Sequence, residues 1–256
     1  MPLNKYLAAA VSAFVLVGNA LAGLVPSEIY RGENLSPNPV GSVSGAPVTA
    51  RASFLNALDS SVGSFGFEGS TVSTGDPAPV YVVFNDGVNG SGTPITATLA
   101  GNGFVRGSPD SGRFNTTVGG TRFWEVQSGP GHRFSIEFSR AISAFGFYGT
   151  DIGDFGGDLS LILTDAVTGL DETVQVTGSG SNGALLFYGF ASRNVAYNKI
   201  TFQTAGATEI DYFGFDDFVV ADRSQIRVPN PPLPEPGSLA LVGLALLGAA
   251  AVRRRA

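Results

Sequence analysis

The chain of 256 residues contains no cysteine and a single residue each of histidine, tryptophan and methionine. Without cysteine there is no disulfide scaffold, no thiolate metal site and no cysteine nucleophile, so stability has to come from burial. The one histidine, His132, follows Gly129-Pro130-Gly131 in a turn with no triad partner beside it, and it is expected to be an exposed loop side chain. No phosphate loop, dinucleotide fingerprint or HExxH pair occurs. Charge is scarce, at 14% of residues, and basic charge scarcer still. Setting aside Lys5 and the arginines 253–255 in the terminal segments leaves 11 basic against 21 acidic side chains, a net −10 for the body. A nucleic-acid backbone is repelled by that balance, and there is no basic patch to offset it.

What the chain has instead is glycine, 35 residues, and phenylalanine, 19 residues. That pairing describes short apolar strands between tight turns around an aromatic core. Residues 23–63 read as an irregular lead-in with one short helix over 51–58, where Phe54, Leu55 and Leu58 share a side. Strand patterns then recur at 64–68, 80–84, 95–99, 113–118, 122–127, 133–138, 142–148, 159–164, 172–177, 184–188, 199–203 and 213–220. About twelve strands without intervening helices predict an all-β fold, an antiparallel β-sandwich or jelly-roll-like domain over 64–222. Phe134, Ile136 and Phe138 alternate cleanly, as do Leu159, Leu161 and Leu163, and both sets are assigned to the core. Phe-Gly-Phe occurs at 65–67, 145–147 and 213–215, which puts two rings on one face of a strand and bares the backbone on the other. Core packing is the expected use of those rings, with sugar stacking as the alternative.

The two ends carry processing signals. Lys5, the apolar stretch 7–17 and the small-x-small run Ala20-Leu21-Ala22 follow the order of a signal peptide, a helix over 1–22 cleaved after Ala22 by signal peptidase during export through the Sec translocon. A proline-rich tether at 223–233 leads to Pro234-Glu235-Pro236, an apolar run over 239–252, and Arg253, Arg254 and Arg255. Fourteen helical residues rise about 21 Å, against a hydrocarbon core of about 30 Å, so the segment makes a short transmembrane helix whose arginines snorkel. Clustered arginines stay cytoplasmic, which puts the body outside, the side to which the signal peptide also directs it.

Pro-Glu-Pro, a short Leu/Gly/Ala helix and a terminal arginine cluster, over residues 234–256, resemble the PEP-CTERM sorting domain of Gram-negative bacteria. The resemblance implies export, an inner-membrane intermediate, processing by an exosortase at or near Pro234, Glu235 and Pro236, and delivery to the cell surface or exopolysaccharide matrix. Phe145-Gly-Phe-Tyr-Gly-Thr-Asp151 and Tyr212-Phe-Gly-Phe-Asp-Asp-Phe218 also resemble the β-sandwich bodies found ahead of such tails, which implies a fold and not an activity.

In the body, Asp151, Asp154 and Asp158 sit in a Gly-rich loop whose carboxylates could serve a hard cation such as Ca²⁺, while a solvated turn explains the same residues. Asp211, Asp216 and Asp217 lie near the last strand, and adjacency places Asp216 and Asp217 on opposite faces, so that only one, Asp216, could join that loop in a structural ion site. No other cofactor is implied. Three functions stay open: a non-catalytic surface or exopolysaccharide-matrix protein; a lectin-like module stacking sugars on Tyr148, Trp124 or Tyr188; and a secreted glycan hydrolase drawing on Glu68, Glu125 or Glu137. The non-catalytic reading leads, with extracellular polysaccharide as its partner.

Overall fold

The computed structural model describes residues 26–36, 41–59, 61–73, 79–88, 93–107, 109, 112–129, 132–152, 158–176, 181–205 and 210–227. Ala20, Ala22, Asp154, Pro234, Glu235, Pro236, Arg253, Arg254 and Arg255 lie outside these residues, as do the signal and apolar tail segments. Among the described residues no helix is long and apolar enough to cross a membrane.

Two antiparallel sheets pack face to face as a β-sandwich. The first runs β1 (Glu28–Asn34), β11 (Leu185–Ala191), β8 (Ala144–Thr150) and β13 (Tyr212–Ala221). The far side of β13 is shared by β6 (Phe123–Gln127), with β5 (Phe104–Arg106) beyond it, and by the short β2 (Gly63–Phe65). The second sheet runs β3 (Val80–Val88), β4 (Pro94–Gly101), β7 (Arg133–Ile142), β12 (Tyr197–Ala205), β9 (Asp158–Asp165) and β10 (Asp171–Gln175). A single register pair, Ser64 with Asn85, joins the two.

The core between the sheets is aromatic. Phe134 stacks on Phe202 with ring centroids 4.3 Å apart, and Phe215 meets Phe202 at 5.0 Å and Phe147 at 5.3 Å. Phe145, Phe147, Phe213 and Phe215 of the Phe-Gly-Phe repeats are all buried there, so those rings serve packing. The first copy departs from its expected strand: β2 ends at Phe65, and Phe67 enters the core from a left-handed backbone with φ 60°.

Three expectations are corrected. The segment 23–63 is not an irregular lead-in, because β1 lies within it and pairs residue by residue with β11. The helix α1 is Ala46–Asn56, starting five residues earlier than the spacing suggested: a proline in its first turn is tolerated, and Phe54 docks it on the first sheet. Residues 113–118 form no strand, and the stretch 112–122 crosses the outer face of the first sheet as a strap.

The described body ends in a clamp. Leu58 bridges Ile226, Arg227 donates its backbone N–H to Ala57 O at 2.9 Å, Asp59 N–H donates to Gln225 O at 2.8 Å, and the Gln225 amide donates to Ser61 O at 2.7 Å.

Candidate functional site: the open face of the second sheet

Burial patterns separate the two sheets. Every residue of β8 and β11 is buried, and four of the five in β6, because α1 and the 112–122 strap cover the outer face of the first sheet. In the second sheet the strands alternate instead: β9 buries Leu159, Leu161 and Leu163 and turns Ser160, Ile162 and Thr164 outward. Among the described elements none packs on that outer face.

Register fixes what the open face presents. One row crosses all six strands, Tyr81, Thr98, Glu137, Lys199, Thr164 and Asp171, each Cα opposite the next. Five inter-strand steps of about 4.8 Å make it about 24 Å wide. A second row holds Ala100, Ser135, Thr201, Ile162 and Thr173, and a third Arg133, Gln203, Ser160 and Gln175. Tyr81 is 80% exposed, the Lys199 ammonium pairs with Glu137 at 3.0 Å, and Thr164 donates to Asp171 at 2.6 Å. Two shallow depressions lie on this face. One of about 450 Å³ is bounded by Tyr81, Val83, Thr96, Thr98, Glu137 and Ser139. The other, about 340 Å³, is bounded by Ala100, Gly101, Arg133, Ser135, Lys199 and Thr201. An exposed aromatic ring and hydroxyls in rows, with charges of both signs among them, form a surface that stacks against and hydrogen-bonds a polyhydroxylated chain.

The acidic residues singled out from sequence do other work. Asp216 is buried, and its Oδ2 accepts from Thr116 N at 2.7 Å, Thr116 Oγ1 at 3.1 Å, Thr117 N at 3.2 Å and the Asn115 amide at 3.0 Å. Burial, then the charge of Asp217, pushes its pKa well above the usual carboxylate range, against the pull of the Thr116 and Asp217 backbone donors. Asp217 does not face away. The ladder is irregular between Asp216 and Val219 and Asp217 has φ 49°, so alternation fails there and its carboxylate also reaches the strap, accepting from Thr117 Oγ1 at 2.6 Å and Thr116 Oγ1 at 3.0 Å.

Asp151 follows β8 with φ 65°, is 1% exposed, and accepts from Gly183 N at 2.6 Å, with Arg113 at 3.9 Å. Burial lifts its pKa to about 6; the Gly183 donor opposes this, the charge of Asp211 adds to it and Arg113 lowers it. Gly112 sits so close that a Cβ there would stand 2.4 Å from Asp151 Oδ1. Asp158 opens β9 on the second sheet, exposed. Among the described residues no three His, Cys, Asp or Glu side chains are grouped as a metal site.

Burial removes the proposed sugar-stacking rings. Trp124, Tyr188 and Tyr148 are 0%, 1% and 4% exposed, the first two in the main core and Tyr148 under α1. The glutamates do not converge either. Glu68 accepts from Thr121 N, Arg122 N and the Asn115 amide, fastening the strap. Glu125 is buried on the first sheet, paired with Arg113 at 2.7 Å and Arg106 at 3.4 Å, whereas Glu137 is on the opposite outer face of the sandwich. His132 is half-buried and not the exposed loop side chain expected, its Nδ1 3.0 Å from Ser128 O.

Tyr81, Arg133 and Lys199 were not singled out from sequence. Tyr81-Val82-Val83-Phe84 is apolar on both parities, which hides that Tyr81 and Val83 face water.

Comparison with known proteins gives one family match: the model of the PEP-CTERM protein-sorting motif matches residues 232–255. That motif implies export and a place at the cell surface or outside the cell, with processing by an exosortase. A search of curated proteins finds no match. Solved structures with a similar fold include TmCBM61 in complex with β-1,4-galactotriose, at 17% identity and TM-score 0.35, covering 61% of this chain and 94% of that one. The K2 cleaved adhesin domain of Lys-gingipain is similar at 13% identity and TM-score 0.36, covering 62% and 97%. The C-terminal family 22 carbohydrate binding module of Clostridium thermocellum Xyn10B is similar at 17% identity and TM-score 0.32, covering 52% and 88%.

Proposed function

We propose that this chain, with its C-terminal PEP-CTERM sorting motif, is a non-catalytic component of the cell surface or exopolysaccharide matrix that holds extracellular polysaccharide on the open face of its second sheet. Export through the Sec translocon, removal of residues 1–22 by signal peptidase, a membrane-held intermediate and exosortase processing at Pro234-Glu235-Pro236 deliver it there.

The observation that carries the reading is the asymmetry of the sandwich. One outer face is sealed by α1 and the strap, and the other presents Tyr81 at 80% exposure beside rows of hydroxyls. The non-catalytic half of the reading is supported by Glu68, Glu125 and Glu137 being held apart in separate structural contacts.

Affinity electrophoresis of the full chain through gels containing galactan, xylan or polygalacturonate tests the binding. Retardation by at least one polymer, weakened in Tyr81→Ala with no change in melting temperature, is the expected result. Equal migration in every gel rejects it.

A further inference from the structure

We infer that the depression bounded by Arg133 and Lys199 receives a carboxylate-bearing polysaccharide, so that the chain held on the open face is an acidic one. The inference rests on the proposed polysaccharide binding and names the class of polymer.

Arg133 and Lys199 reach the depression from β7 and β12, Ser135 and Thr201 lie between them as register partners, and no carboxylate contributes to the lining. Glu137, the nearest acid by register, stands directly opposite Lys199 and engages its ammonium at 3.0 Å. An ammonium has three donors, so one carboxylate leaves it capacity for a second. Arg133 is exposed and makes no ion pair among the described residues. Its guanidinium offers a fork of donors that matches a carboxylate.

The floor is kept low by sequence. Gly101 has φ 109°, and a Cβ there would lie 2.6 Å from Arg133 O and 3.0 Å from Phe134 Cα. With Ala100 beside it, the backbone is left open to close approach.

Spacing chooses a polymer over a lone anion. Arg133 is opposite Gln203 and Lys199 is four residues further along β12, about 13 Å at the strand rise. The two cations thus address two points along a chain running over Ser135 and Thr201, as acidic sugars a few units apart on one polymer would supply. The body as a whole is acidic at a net −10, so attraction is confined to this corner of the face and is lost when salt shortens the screening length.

The test compares polygalacturonate with the same polymer after carboxyl reduction, using the full chain in isothermal titration at low and high salt with chelator present. A charge-assisted hydrogen bond is worth enough to change affinity roughly tenfold. We expect polygalacturonate to bind at least about tenfold more tightly than its reduced form, to weaken at high salt, and to lose roughly tenfold in Arg133→Gln and in Lys199→Gln. Both side chains face water, and thermal melts of the variants verify that folding is kept. Equal affinity for the two polymers overturns the acidic-ligand inference and leaves polysaccharide binding standing. Binding that needs divalent metal, or that ignores both substitutions, overturns it as well. Failure of either polymer to bind, with galactan and xylan also inert, removes the underlying reading.

Discussion

Gly146 of β8 lies directly opposite Gly189 of β11, and the ring of Phe54 occupies the hollow that the two leave on the outer face of the first sheet. A Cβ at Gly146 would stand 2.8 Å from Phe54 Cε1 and 3.1 Å from Phe187 Cζ. The paired glycines are what allow a short helix to seal this face. Gly146→Ala should therefore cost about 1–3 kcal/mol through overpacking, and Phe54→Ala about 3–5 kcal/mol through the cavity it leaves. Chemical denaturation midpoints measure both. The pair should be non-additive, since Phe54→Ala makes room for the added methyl.

A buried ion-pair group under the strap gives a second expectation. Glu125 is 2% exposed in its side chain and is the shared partner of Arg113 and Arg106. Glu125→Leu removes the 2.7 Å carboxylate partner of the buried Arg113 guanidinium, at a cost of about 3–5 kcal/mol. Replacing Arg113 by Met in the same chain should recover most of that loss, because Arg106 is 36% exposed and can turn to water. Urea unfolding of the single and double variants decides it; a double variant no more stable than Glu125→Leu contradicts the assignment.

Asp151 sets a pH dependence. Its folded pKa, raised by burial to about 6 from 3.8, means that the folded state holds the proton more tightly than the unfolded one. Its contribution to stability is therefore complete below the unfolded value and is lost as pH rises through about 6. Asp165 works in the opposite sense: the Thr168 backbone donor holds its pKa low, and its contribution is lost as pH falls. The difference between wild type and Asp151→Asn isolates the first term. Between about pH 4 and about pH 7 the variant should gain on the wild type in melting temperature, most steeply near about pH 5, midway between the unfolded 3.8 and the folded value of about 6. Parallel curves across that range would show that Asp151 carries no such shift.

The tail supplies a fourth expectation. With Pro234, Glu235 and Pro236 changed together to alanine, an exosortase-bearing host should retain a species heavier by the tail than the processed wild type. Intact-mass spectrometry of surface and membrane fractions reads the outcome. Processing of both chains to one mass would separate recognition from these three residues.

The second sheet was legible in the sequence because water lies on one of its sides. Leu159, Leu161 and Leu163 alternate with Ser160, Ile162 and Thr164, and period two marks both strand and face. The first sheet was legible as strands but not as a sealed layer. Leu185-Leu186-Phe187-Tyr188 is apolar at every position, which is what burial on both faces produces and what leaves the faces indistinguishable. The β1 strand escaped because Glu28, Arg31, Glu33 and Asn34 dilute its pattern, and only pairing with β11 reveals it. At the site, the acidic residues drew attention by chemistry, yet Asp151, Asp216 and Asp217 serve the strap and the loops around it. The bulge that turns Asp217 toward Thr117 has no sequence mark beyond the residues themselves. Tyr81 went unseen because nothing in Tyr-Val-Val-Phe tells the wet parity from the dry one.

The clamp at the end of the body also bears on the open face. Among the described residues, the chain leaves the body through backbone bonds from Arg227 to Ala57 and from Asp59 to Gln225. Those bonds tie the last described residues to the end of α1, while β13 is held along its length by β8, β6 and β2. The clamp thus fixes the last described residues at the rim of the first sheet, so that the aromatic core parts the exit of the chain from the open face of the second.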